Sequence, residues 1–154
     1  LATKSEKLFA AYARFAQTIV GIPDAKAWEL CQVAAGVPAF VAEVRSRDPK
    51  QTSSQIVTGL EQGLREMPGL IGEVDSLWRG AVSKALYDAV AAEYPEFLKL
   101  ETARLEKVMA RGKIRTEAEF SLVRHRIAVL EGEPELAEEL RNLYALVEAF
   151  ESRG

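Results

Sequence analysis

The chain has 154 residues, 48% of them hydrophobic, and a formal net charge of −3. That length fits one domain, that apolar share excludes a disordered chain, and that charge excludes a general electrostatic attraction to nucleic acid or acidic lipid. The single cysteine, Cys31, excludes an intrachain disulfide and fits a reducing compartment, and no apolar run approaches the ~18 residues of a membrane span.

Thr3-Lys4-Ser5-Glu6 is a capping-box pattern that opens a first helix. Its stripe is Leu8, Tyr12, Phe15 and Ile19, widened by Phe9, Ala16 and Val20, and Gly21 and Pro23 end it. Asp24 caps a short second helix carrying Trp28, Cys31 and Ala35. Gly36 and Pro38 interrupt the pattern, and Val37, Phe40, Val41 and Val44 resume it, which predicts two short helices or one kinked at Pro38. Asp48 as N-cap, Pro49 at the first helical position and Gln51 at the third start the next helix. It presents Ile56, Leu60 and Leu64 and is broken by Met67-Pro68-Gly69. Gly59 and Gly63 lie one turn apart on it and weaken it by about 1 kcal/mol each relative to alanine. Close packing of another helix at both glycines is the expected compensation, from the same chain in preference to a partner.

A long helix follows over residues 73–94. Val74, Trp78, Ala81, Ala85 and Ala89 form one stripe, with Leu77, Val82, Leu86 and Val90 beside it. So wide a face of small residues predicts a central position. Pro95 opens a helix with Phe97, Leu98, Leu105, Val108 and Met109, closed by Gly112. Thr116 and Glu119 form a second capping box. Phe120, Val123, Ile127 and Leu130 then repeat at 3,4,3 spacing, and after a connection at residues 131–134, Leu136, Leu140, Leu143, Val147 and Phe150 repeat at 4,3,4,3. Two such stripes joined by a tight turn read as an antiparallel αα-hairpin with one apolar seam. The predicted fold is all-α: a single helical domain over residues 1–154, a bundle of six or seven helices with the C-terminal hairpin packed on the 73–94 helix.

Candidate chemistry is sparse. His125, the only histidine, has Leu122 where a helical carboxylate–histidine metal pair would place a glutamate. It lies between Arg124 and Arg126, away from the Val123–Ile127 seam, which predicts a surface position. Cys31, on an apolar face beside Trp28, is expected to be a buried, inert thiol. Glycine-rich phosphate loops, nucleophile elbows and HExxH are absent from the sequence. No catalytic, cofactor-binding or metal residue is therefore assigned, and no cofactor is expected.

The most specific charged feature is the basic segment 104–126. Its Arg111, Lys113, Arg115, Arg124 and Arg126 are candidate anion or partner contacts, and the helix–turn–helix order permits a nucleic-acid comparison. The competing reading is internal charge complementarity. Glu131, Glu133, Glu135, Glu138, Glu139, Glu148 and Glu151 crowd the following helix, which the hairpin lays beside the basic one. Internal pairing is the favoured reading. The abundance of alanine and arginine fits a GC-rich bacterial coding sequence. The functional expectation is a non-enzymatic, cytoplasmic, bacterial protein-interaction or regulatory module, with a protein partner or a second copy and no membrane. Behind it stand a nucleic-acid-binding regulator using residues 104–126 and a small-ligand binder or enzyme with a site assembled from scattered residues. That last reading requires an apolar cavity with a few convergent polar groups.

Overall fold

Most polar interruptions in this chain supply a cap, so one helix ends where the next can begin. In a computed structural model that describes residues 1–153, eight α-helices follow in order: α1 Lys4–Ile19, α2 Ala25–Ala35, α3 Val37–Arg47, α4 Ser53–Ile71, α5 Ser76–Glu93, α6 Pro95–Arg111, α7 Glu117–Leu130 and α8 Ala137–Glu151. A 3₁₀ turn at Pro134–Leu136 leads into α8. Thr3 accepts from the Glu6 amide at 3.1 Å, completing a capping box on α1, while Asp24 and Thr116 cap α2 and α7. Gly112, at φ 73°, takes the left-handed cap of α6, a conformation that costs glycine nothing.

Four details differ from expectation. Gly36 separates α2 from α3, which brings the number of α-helices among the described residues to eight. The cap of α4 is Thr52, which exchanges both capping-box bonds with Gln55. Asp48 instead closes α3, and its carboxylate accepts from the Lys50 amide in a tight turn that leaves Pro49 outside the helix. The α5 helix starts at Ser76 under an Asp75 cap. Pro68 does not break α4, which continues to Ile71. A mid-helix proline costs ~3 kcal/mol because it has no N–H for the carbonyl four residues back, here that of Leu64. Met67 and Ile71 are both buried in the core, and burial of two such side chains contributes roughly 3–6 kcal/mol, enough to hold the last turn.

The apolar side chains form two clusters. The first joins α1 to α5 and includes Phe97 at the start of α6; the second joins the rest of α6, Ile114, α7 and α8. The α7 helix links them, packing on α4 and α5 as well as on its hairpin partner α8. Within the hairpin Leu143 is fully buried and Leu140 only half-buried. One glycine of α4 makes a close approach. The Tyr12 hydroxyl donates to the Leu60 carbonyl at 2.7 Å, and a Cβ on Gly63 would lie 2.5 Å from that hydroxyl oxygen. Gly59 faces open space, with nothing within 4 Å of an added Cβ. The expected packing at that position is corrected: Gly59 lies on the exposed side of the helix. No helix among the described residues is long and apolar enough to cross a membrane.

Candidate functional site

The α7 helix is surrounded by α4, α5, α6 and α8, so it has more than one interior face. The seam residues Val123, Ile127 and Leu130 belong to the second cluster. A neighbouring face carries Leu122, His125 and Val129, spaced three and four residues apart, and all three line a cavity of about 460 Å³. The cavity occupies the junction of the two apolar clusters. Leu86, Val90 and Phe97 contribute from the first, Leu105 and Leu122 from the second. Its volume falls within the range of small-molecule sites, roughly 300–1,000 Å³. Polar groups gather around it: Glu101, Thr102, Tyr87, Arg126 and Glu139 also lie in its wall.

His125 is the distinctive group. In place of the surface position expected from its arginine neighbours, it is half-buried, because its row on α7 faces the cavity and not solvent. Its Nδ1 is sealed from solvent and has no hydrogen-bond partner among the described residues. Burial, helped by the adjacent positive charge of Arg126, pushes its pKa down to about 4. The imidazole is therefore neutral at physiological pH.

A second cavity, of about 550 Å³, backs onto the first and shares His125 and Pro68 with it. Its wall is polar. Ser83, the one buried polar side chain among the described residues, lines it together with Ser121, Arg79 and Arg124. Arg79 donates to the Val74 carbonyl at 2.9 and 3.2 Å. Glu73, Glu117 and Glu131 line it as well, but Glu73 pairs with Lys26 at 3.2 Å, Glu117 with Arg153 at 3.2 Å, and Glu131 accepts from the Tyr144 hydroxyl at 2.7 Å.

The five basic candidates do not share one face. Arg111 folds back onto the Lys113 carbonyl and the Glu119 carboxylate. Arg126 pairs with Glu139 of α8 at 3.2 Å, the kind of cross-hairpin pairing that charge complementarity predicts. Arg124 stacks over the Phe120 ring at 5.6 Å, and Lys113 and Arg115 are exposed. Glu119 is not a full capping-box partner: its carboxylate accepts from the Arg115 amide at 2.7 Å. Burial pushes the Glu119 carboxyl pKa up, but the Arg115 amide and the Arg111 guanidinium outweigh it and hold the pKa low. Cys31 is buried in the first cluster, and its thiol donates to the Ala16 carbonyl at 3.3 Å. No group of three or more histidine, cysteine, aspartate or glutamate side chains among the described residues is placed to hold a metal ion.

Sequence reasoning named neither cavity. The usable signal was the Leu122–His125–Val129 row, a histidine in line with two apolar residues. Compared with protein-family models, with curated proteins and with solved structures, the chain matches none.

Proposed function

We propose that this chain is a non-enzymatic binding module whose ligand is a small, largely apolar molecule held between the two apolar clusters. The observation that carries this reading is the roughly 460 Å³ cavity lined by both clusters and by a neutral imidazole. The cavity is a cleft partly open to solvent, and at about 460 Å³ it is large enough to admit a small molecule. An apolar cavity with a few convergent polar groups is what a small-ligand site calls for. Binding is favoured over catalysis because an efficient general acid or base has a pKa near the working pH, and the one imidazole is held far below it. A ligand touching α4 through α8 would stiffen the junction between the clusters, which gives a regulatory module its means of response.

The test is titration with Nile red, a neutral apolar dye. At ~0.3 kcal/mol per non-hydrogen atom, a dye of about 24 such atoms gains about 7 kcal/mol, a Kd of several micromolar. Saturable one-to-one binding is expected. Val129→Trp, which fills the cavity from a half-buried position, should abolish it without lowering the melting temperature. Absence of a saturable site, or an unchanged affinity in the filled variant, would remove the reading.

A protein partner keeps one supporting observation. Trp28 and Leu77 are 61% and 76% exposed. The Asp24 carboxylate accepts from the Asp75 amide at 3.1 Å, so it ties the helix starts that carry them together. Large exposed apolar side chains brought to one region favour contact with another protein.

A further inference from the structure

Resting on the small-ligand reading, we propose that the cleft selects a neutral molecule bearing a carbonyl group, whose oxygen accepts a hydrogen bond from Nε2–H of His125.

His125 is the only histidine in the chain, and it stands where the two cavities meet, in the wall of both. Its ring nitrogens differ in their surroundings. Nδ1 is sealed and has no hydrogen-bond partner, the one such side-chain atom among the described residues. Nε2 also bonds to nothing among those residues, and since it is not sealed it opens into the space that the ring lines. A neutral imidazole has one proton and two places for it. On Nδ1 the proton would be a buried donor with no acceptor, an arrangement that folded proteins avoid. On Nε2 it meets water in a cleft partly open to solvent. The proton therefore resides on Nε2. The cleft then carries one fixed donor in a wall built largely from Leu64, Leu86, Val90, Phe97 and Leu122.

That donor sets the chemistry of the ligand. An apolar molecule without an acceptor displaces water from Nε2–H and leaves it unpaired, which loses affinity. A carbonyl restores the bond. A carboxylate also accepts, but the charges nearby disfavour it. The wall of the first cavity holds Glu101, Glu106 and Glu139 against Arg126 alone, and Arg126 is already paired with Glu139 at 3.2 Å. The wall of the second holds three glutamates against two arginines. An ammonium group would bring a second donor to face the first. With the imidazole itself uncharged at neutral pH, the group that fits is a neutral acceptor.

Two measurements test this. Nitrogen NMR of the single histidine identifies the protonated ring nitrogen in the unliganded protein. Nε2–H is expected at neutral pH, and an Nδ1–H imidazole overturns the proposal. Equilibrium dialysis then compares benzophenone, diphenylmethane and diphenylacetate, which share two phenyl rings and carry a carbonyl, a methylene and a carboxylate. His125→Leu should lower the affinity for benzophenone relative to diphenylmethane roughly tenfold, the worth of one neutral hydrogen bond. His125→Gln, which keeps an N–H donor, should recover part of that ratio. A histidine that only packs would move both compounds together, so an unchanged ratio in His125→Leu overturns the inference and leaves the apolar-cavity reading standing. Diphenylacetate binding tightest of the three would make the head anionic and would also overturn it. If Nile red binds and benzophenone does not, the inference alone falls. Failure of the dye to bind removes the underlying reading and the inference with it.

Discussion

Replacing His125 by leucine should stabilise the free protein. The imidazole carries a sealed, unpartnered nitrogen, and an unsatisfied buried polar atom costs about 1–3 kcal/mol. Leucine, of similar size, removes that cost and continues the apolar row of Leu122 and Val129. For a chain of this length, each kcal/mol should raise the melting temperature by roughly 2–4 °C. The gain should widen in acid. Burial places the folded-state pKa at about 4, below the ordinary 6.5 of an unfolded chain. Between those values the unfolded state binds a proton that the folded state refuses. The parent's stability is thus fully present above about pH 6.5 and is lost as the pH falls towards 4. The linked loss is nearly nil at about pH 7 and roughly 2 kcal/mol at about pH 4.5. Leucine binds no proton, so the difference between variant and parent should grow by that amount. Urea unfolding of both proteins at the two pH values measures it, because carboxylate contributions common to both cancel. A variant less stable than the parent at neutral pH, with a difference that does not change in acid, would refute the assignment of His125 as a neutral, unpartnered interior group.

The two glycines of α4 should respond with opposite sign. Gly63→Ala forces a methyl to 2.5 Å from the Tyr12 hydroxyl oxygen and should cost about 1–3 kcal/mol, whereas Gly59→Ala meets nothing and should gain up to ~1 kcal/mol of helix propensity; thermal melts that move together would contradict both. In the hairpin, Leu143→Ala should cost about 2–5 kcal/mol, and Leu140→Ala clearly less because it is only half-buried. Equal melting temperatures for the two variants would count against the seam. Binding to duplex DNA at about 0.15 M salt should stay at or below the non-specific range of ~10⁻⁴–10⁻⁶ M, since Arg111 and Arg126 are engaged with carboxylates; nanomolar binding lost on changing Lys113 and Arg115 to glutamate would reverse that expectation.

What the sequence made legible was local. The caps at Thr3, Asp24 and Thr116 and the stop at Gly112 each depend on atoms a few residues apart, so their pattern can be read directly. The hairpin stripes are legible for the same reason. Pro68 misled because propensity is local, whereas what holds the last turn of α4 is burial of Met67 and Ile71 against other helices. At the start of α4 two cap signals competed within five residues, and Thr52 prevailed through two reciprocal bonds with Gln55. His125 was obscured by its neighbours along the chain, although its neighbours along the helix face were apolar. The first cavity draws its wall from five helices, a convergence with no signature at any single spacing.

The two apolar clusters divide the chain without interleaving: residues 8–97 supply the first and residues 105–150 the second. During synthesis the first is complete while about fifty residues of the second are still to be made, an interval of roughly 3–10 s at ~5–20 residues per second. For that time Leu64, Leu86, Val90 and Phe97 form an uncovered apolar face, because α7 and α8 have yet to emerge. A ligand present then would meet a bare apolar face instead of a partly open cleft walled by α7 and α8. Loading would meet less obstruction as the chain is born than once α7 has docked over the face. Comparing dye uptake during refolding with uptake by the already folded chain measures that asymmetry.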